Sequence, residues 1–338
     1  MSATRVGING FGRIGRAAFR QTLKRDDVEV VAINDLIPID DLAYLLRHDS
    51  VYGRLDESVR VDDDRLVVGD APVTVHSTED PGRIRWADHD VDVVIEATGA
   101  FRARDAAARH LENARCVLIS APSDDADAHV VYGVNHDAYD PNDHPVASST
   151  SCTTNCLVPM LHVLDGAFGI ETATFTTVHA ATASQHLVDG AARKRRRGRS
   201  ALVNLIPTST GAAKASERAL PHLEGRLDGL ALRVPVAVGS VTDLVARVGA
   251  RTDADAVVRT FVEAAEGPLG GVLRVEEQEM VSQDVVGDPH SCVIDRPTVR
   301  VQDGSVVKIL GWYDNEWGYA ARMLDLTVHA ARALAGQR

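Results

Sequence analysis

The chain has 338 residues, a length that at about 150 residues per domain predicts two domains. Its 36 basic and 48 acidic residues give a net charge of −12, which disfavours binding to nucleic acid or another polyanion over the whole surface. No stretch approaches the roughly 18 consecutive apolar residues of a membrane span, which excludes a transmembrane helix. The opening Met1-Ser2-Ala3-Thr4-Arg5 lacks a signal peptide's layout, and four cysteines are too few for a disulfide framework. The expectation is a cytoplasmic protein without a membrane partner. Only four basic residues are lysine, and Asp outnumbers Glu 34 to 14, a bias that either GC-rich coding or a salt-adapted host produces.

In chain order, residues 4–9 read as a short buried strand, followed by glycines and helical spacing over 14–24, then a second strand over 28–34. Residues 42–47 read as a helix, and 65–75 alternate as strands do, with a turn signal at Gly69-Asp70. Residues 91–97 are a continuous apolar run, as in a parallel strand covered on both faces, and 115–120 are another, with a helix predicted over 103–113 between them. This alternation predicts a doubly wound parallel α/β sheet. After about residue 150 the texture changes. A helix over 151–166 precedes alternating, β-branched segments at 171–179, 231–236, 240–247 and 306–313, which suit an α+β domain with a mostly antiparallel sheet. The last stretch, 318–334, is one amphipathic helix.

Gly10-Phe11-Gly12-Arg13-Ile14-Gly15 follows a strand and opens a helix. Glycines there allow a tight turn and close approach to a pyrophosphate, while the helix N–H groups face the anion. Asp35 ends the second strand, where a ribose-binding carboxylate belongs. Together they predict a Rossmann-type dinucleotide site, with Thr98-Gly99 and Ser120-Ala121 closing the next two strands at the ligand-bearing edge.

Ser151-Cys152-Thr153-Thr154-Asn155-Cys156 opens a helix. A thiol in the first turn lies near free N–H groups and the positive end of the dipole, which favours thiolate; Cys156 lies one turn further on. Cys116 sits in an apolar strand and Cys292 has no partner pattern, so both read as core residues. No zinc-type spacing of Cys and His occurs, so no metal is expected. His179 ends an apolar run and could activate a thiol, but it is one of 13 histidines and position alone does not select it. Residues 193–199 (RKRRRGR) carry six basic residues in seven, open to reading as an anion site, a nucleic-acid patch or a solvated loop.

Read together, these segments resemble phosphorylating glyceraldehyde-3-phosphate dehydrogenase. The family's signatures stand here as Asn9-Gly10-Phe11-Gly12-Arg13-Ile14-Gly15-Arg16, Ser151-Cys152-Thr153-Thr154-Asn155-Cys156, Pro207-Thr208-Ser209-Thr210-Gly211-Ala212-Ala213-Lys214 and Trp312-Tyr313-Asp314-Asn315-Glu316-Trp317-Gly318-Tyr319. They follow the family's order and spacing from residue 5 to about residue 330. The resemblance implies an NAD-dependent oxidation of glyceraldehyde 3-phosphate, with NADP disfavoured, through a Cys152 thioester that inorganic phosphate converts to 1,3-bisphosphoglycerate. It implies Cys152 and His179 as the catalytic pair. Gly10, Gly12, Arg13, Ile14, Gly15, Asp35, Ser120 and Asn315 would bind the cofactor. Ser151, Thr153, Thr182, Arg199, Thr210, Gly211 and Arg233 would bind substrate or phosphate. It further implies a homotetramer, a cofactor domain of residues 1–151 completed by helix 318–338, and a catalytic domain of residues 152–317.

The chain departs from the family's pattern at Ser148-Ser149-Thr150-Ser151, at Ala180-Ala181-Thr182-Ala183-Ser184-Gln185, and at Glu79, where many members carry an arginine near the adenine. The alternatives are erythrose-4-phosphate dehydrogenase, a relative that hydrolyses its thioester, and a non-catalytic dinucleotide or nucleic-acid binding protein. Retention of Cys152, His179 and the phosphate positions disfavours both.

Overall fold

A computed structural model describes residues 3–336, which form two compact units. The first runs through Thr150 and resumes at Ala320; the second spans Ser151–Tyr319.

In the first unit the chain forms β1 (Thr4–Asn9), α1 (Arg13–Thr22), β2 (Val28–Asn34) and α2 (Ile39–Arg47), then a small hairpin of β3 (His48–Asp49) and β4 (Gly53–Arg54). An antiparallel meander of β5 (Val59–Asp62), β6 (Arg65–Val68) and β7 (Ala71–His76) follows. The two-residue loop expected at Gly69-Asp70 is present, and Gly69 takes φ +60°, as the favoured hairpin turns require. Next come β8 (Val93–Glu96), α3 (Arg104–Ala108), β9 (Val117–Ile119), β10 (Ala128–His129) and β11 (Val146–Ser148).

The sheet order is β10-β11-β9-β8-β1-β2-β7-β6-β5, with every pairing from β10 to β7 parallel. Its central strands are buried along their lengths, so the apolar runs read as parallel strands lie where both faces are covered. Trp86, Val94, Val117, Ile119 and Val146 share one packed cluster. The helix expected over 103–113 is shorter, passing at Arg109–Glu112 into a 3₁₀ turn that carries the buried His110.

The second unit opens with α4 (Cys152–Phe168), followed by β12 (Ile170–Ala180), β13 (Ile206–Ser209), α5 (Ala212–Ala219), β14 (Leu227–Val234) and β15 (Ser240–Val248). It closes with α6 (Ala254–Glu266), β16 (Leu273–Glu276), β17 (Cys292–Asp295), β18 (Arg300–Gln302) and β19 (Val306–Tyr313). The sheet order is β13-β14-β12-β15-β19-β17-β16, with β18 paired to β19. Only β12·β14 and β16·β17 are parallel. Burial alternates along β15 and β19, and the buried positions face α4, which packs on β12, β15, β17 and β19. The C-terminal helix α7 (Trp317–Ala335) returns the chain to the first unit; residues 337 and 338 lie outside the described residues.

Candidate active site

Gly10 has φ +94°, and a Cβ there would lie 2.6 Å from the Thr98 amide nitrogen. A Cβ on Gly15 would lie 2.2 Å from the Gly10 carbonyl oxygen. These two glycines are required by local packing of strand against helix. Gly12 is different: a Cβ there meets nothing within 4 Å, so this side of the turn is open. Gly12 also caps α1 without a side chain, which leaves the helix N–H groups available to an anion. The turn fits a dinucleotide pyrophosphate. Asp35 is fixed beside it, one carboxylate oxygen accepting from the Phe11 N–H at 2.7 Å and the other from the Ile37 N–H at 3.2 Å. A cavity lined by Asp35, Leu36, Val75 and Ser77 opens next to it.

The Arg13 guanidinium pairs with Asp49 and lies over the Tyr52 ring, and Ile14 is half-buried. Ser120 follows β9 and donates its N–H to the Glu96 carbonyl at 2.9 Å. Beneath the turn, the buried Glu96 carboxylate accepts from Asn9 Nδ2 at 2.5 Å, from the Thr98 N–H at 2.9 Å and from the Thr98 hydroxyl. His110 Nδ1 accepts from Trp86 Nε1 at 3.0 Å, so its Nε2 is the donor to Glu96 at 3.1 Å.

In the second unit, Ser151 caps α4 by accepting from the Thr154 N–H at 3.1 Å, which sets Cys152 at the first helical position. Cys152 Sγ lies 3.4 Å from His179 Nε2. His179 stands opposite Arg233 in the parallel β12·β14 pairing. Its Nδ1 lies 2.7 Å from the Ala180 carbonyl oxygen; in the tautomer that donates to this carbonyl, Nε2 is the acceptor toward the thiol. Arg233 Nη1 donates to the same carbonyl at 2.9 Å and packs against Nδ1.

Burial pushes the Cys152 thiol up to about 11, against the opposing pull of the Arg233 charge and the Thr153 N–H. Burial, aided by the Arg233 charge, pushes His179 down to about 3. The helix position alone favours a thiolate; here desolvation of the charged form outweighs it. Both shifts favour the neutral forms, thiol and imidazole.

The Thr153 hydroxyl bonds Tyr313 Oη at 2.9 Å, and Tyr313 Oη also reaches Thr177 Oγ1 at 2.8 Å, all of it buried. Thr182 and Thr210 bond within their own turns, to Ser184 and to the Ala212 N–H, and Gly211 caps α5 with open space where a Cβ would stand. Two residues of the basic run behave differently. Arg199 is 63% exposed and held by Asp189 at 2.7 Å. Arg197 is half-buried, donates Nε to Thr208 Oγ1 at 3.0 Å, and bears by its charge on both His179 and Arg233. The structure thus brings Arg197, rather than Arg199, into the electrostatic field of the Cys152–His179 pair.

A family model for the C-terminal domain of glyceraldehyde 3-phosphate dehydrogenase matches residues 151–315, and one for its NAD binding domain matches residues 4–104. The chain is 48% identical over 332 residues to glyceraldehyde-3-phosphate dehydrogenase 2 of Streptomyces avermitilis, covering 98% of this chain and 99% of that protein. The chain belongs to the glyceraldehyde-3-phosphate dehydrogenase family. Glyceraldehyde-3-phosphate dehydrogenase 1 of Bacillus subtilis is 47% identical over 331 residues, covering 98% of this chain and 99% of that protein. As a family member the chain is an NAD-dependent oxidoreductase of glycolysis.

Within the family frame, Asn315 is oriented by neighbours that sequence reasoning missed. Its Oδ1 accepts from the Gly239 N–H at 3.2 Å and from Ser240 Oγ at 2.9 Å, so its Nδ2 is the remaining donor. Ser240 Oγ also accepts from the Ala180 N–H at 3.1 Å, tying Asn315 to the strand of His179. Tyr313, Thr177 and Glu96 were likewise missed. Tyr313 lies inside a quoted signature, but its partners are 160 and 136 residues away and no local pattern announces them. Among the described residues no cluster of Cys, His, Asp or Glu could hold a metal ion, and no helix is long and apolar enough to cross a membrane.

Proposed function

We propose that this chain oxidises glyceraldehyde 3-phosphate with NAD and inorganic phosphate to 1,3-bisphosphoglycerate. The observation that carries the reading is Cys152 Sγ at the head of α4, 3.4 Å from His179 Nε2, in a chain of this family. As Sγ attacks the aldehyde carbon, Nε2 takes the thiol proton and returns it to the oxygen, giving a thiohemiacetal. Nε2 then takes the hydroxyl proton as the thioester forms. NAD, when bound, accepts the hydride. Phosphate attacks the thioester carbon and expels the Cys152 sulfur, which recovers a proton. The low proton affinity of His179 suits it to exchange protons rather than hold one.

Arg233 and Arg199 supply cations for the substrate phosphate and the attacking phosphate, with Arg197 as a further cation beside His179, and with Ser151, Thr153, Thr182, Thr210 and Gly211 as hydroxyl and N–H donors. Asp35 binds the adenosine ribose, Gly10, Gly12 and Gly15 with Arg13, Ile14 and Ser120 form the cofactor cradle, and Asn315 orients the nicotinamide amide. Residues 1–151 with the C-terminal segment from residue 318 act as the cofactor domain and residues 152–317 as the catalytic domain. The four cysteines are free thiols, which suits a reducing, cytoplasmic compartment. Leu187, Val188, Leu202, Val203 and Leu205 are each more than 60% exposed, an apolar set that supports assembly into a homotetramer.

The test is NADH formation followed with and without phosphate. Cys152→Ala should abolish it while cofactor affinity persists, and His179→Asn should lose roughly 10²–10⁴-fold in rate. Phosphate-independent turnover of erythrose 4-phosphate at a higher kcat/KM would replace this reading with that of the hydrolysing relative.

A further inference from the structure

The mechanism leaves a buried carboxylate of the first unit unused. Glu96 ends β8 beneath the glycine turn, and its side chain is 1% exposed. Three donors whose directions are fixed elsewhere converge on it. The Thr98 N–H, a backbone group, reaches Oε1 at 2.9 Å. The Trp86 indole can only donate, so its bond to His110 Nδ1 at 3.0 Å makes His110 Nε2 the donor to Oε2 at 3.1 Å. The third arm starts at the Thr78 N–H, which donates to Asn34 Oδ1 at 2.9 Å. That bond orients the Asn34 amide, whose Nδ2 donates to Asn9 Oδ1 at 2.7 Å, and Asn9 Nδ2 donates in turn to Oε2 at 2.5 Å. Position 96 therefore needs an acceptor at both ends, which a carboxylate supplies and an amide does not. The arm of amides runs directly under the turn. Asn9 precedes Gly10 and Asn34 precedes Asp35. The Gly10 N–H donates to the Asn34 carbonyl at 2.8 Å, and the Ala97 N–H to the Asn9 carbonyl at 2.7 Å. The Thr98 nitrogen is the atom that a Cβ on Gly10 would meet at 2.6 Å, so a shift of Asn9 or Thr98 is felt by the turn.

We propose that Glu96 is a positioning residue of the cofactor site, and that its two acceptor oxygens, rather than its shape, hold the glycine turn and Asp35 in register for the dinucleotide. The proposal rests on the glycine turn and Asp35 being that site. An amide at position 96 would turn its NH2 either toward the Asn9 and His110 donors or toward the Thr98 N–H. Both orientations set donor against donor in a buried space, which displaces Asn9 or Thr98. Reversing the Asn9 amide is no escape, because it requires reversing Asn34, and the Thr78 N–H then meets an NH2 group. The His110 arm has a different part. It ends on Trp86 in the packed cluster, so it supports Glu96 without fixing the turn.

The experiment titrates the full-length protein, stripped of nucleotide, with NAD by calorimetry and follows steady-state NADH formation in parallel. Glu96→Gln is nearly isosteric. It should raise the dissociation constant and the KM for NAD roughly tenfold or more, while kcat at saturating NAD and the KM for glyceraldehyde 3-phosphate stay within about twofold. Asn34→Ala cuts the amide arm at its far end and should weaken NAD binding likewise, which keeps the test open if Glu96→Gln does not fold. His110→Leu should lower the melting temperature and leave NAD affinity within about twofold of wild type. Wild-type NAD affinity in folded Glu96→Gln or Asn34→Ala overturns the proposal. So does an equal loss of affinity in His110→Leu, which would reduce Glu96 to a stabilising core residue. If the glycine turn and Asp35 are not the cofactor site, Asp35→Gly also binds NAD as wild type does, which separates that failure from failure of Glu96.

Discussion

Replacing Arg197 and Arg199 by leucine, one at a time, asks whether the chain's phosphate chemistry follows sequence position or tertiary placement. Arg197 is half-buried, anchored to Thr208 Oγ1 at 3.0 Å, and acts on His179 and Arg233 through its charge. A hydrogen bond to a charged partner there is worth about 1.5–3 kcal/mol, or roughly 10- to 150-fold. Arg199 is 63% exposed and paired with an exposed Asp189, so its loss should change rates less than the loss of Arg197. The assay is steady-state NADH formation with glyceraldehyde 3-phosphate and phosphate varied in turn, and with unphosphorylated glyceraldehyde as the comparison. Arg197→Leu should raise the KM for the phosphorylated aldehyde or for phosphate by that larger factor. The KM for glyceraldehyde itself should not change, because it presents no phosphate for the lost guanidinium to bind, whereas a role toward the attacking phosphate raises the KM for inorganic phosphate with either aldehyde. A larger loss in Arg199→Leu than in Arg197→Leu would refute the placement.

If Asp35 binds the adenosine ribose as proposed, it should impose NAD over NADP by at least about tenfold in kcat/KM, about 1.4 kcal/mol, because its carboxylate would repel a 2′-phosphate and the exposed Leu36 offers no donor. Asp35→Gly should narrow the ratio, and an unchanged ratio would remove Asp35 from cofactor selection. Asp288 bears on acid stability: burial pushes its pKa up, but the His290 ring and N–H and the Arg274 guanidinium outweigh this and hold it at about 2. A depressed carboxyl pKa stabilises the fold above its unfolded value, near 3.9, and that contribution disappears as pH falls toward 2. Asp288→Asn should therefore cost up to about 2 kcal/mol at neutral pH, with the gap to wild type closing between about pH 4 and pH 2 in urea unfolding. A gap that does not change with pH would mean that the charge of Asp288 is not what stabilises.

The sequence by itself determined whatever is local. The glycine turn, the closing acid at Asp35 and the cysteine at a helix start are each set within a few residues, where backbone sterics and capping leave few choices. Parallel and antiparallel strands were separable because one kind is buried on both faces and the other on one. Residues 249–305 were not resolved into elements, although Asp253 caps α6 by accepting from the Ala256 N–H, a start signal that local reading could have used. What only tertiary structure decided is whatever joins distant strands or depends on exclusion of water. His179 stands out from 12 other histidines because β12 places it against Cys152 and pairs it with Arg233 of β14. Arg197 and Arg199 are equivalent in composition and separate only when one reaches Thr208 and the other Asp189. Cys152 is the sharpest case: the helix terminus was legible, but desolvation, which exists only in the folded chain, pushes the thiol up against it.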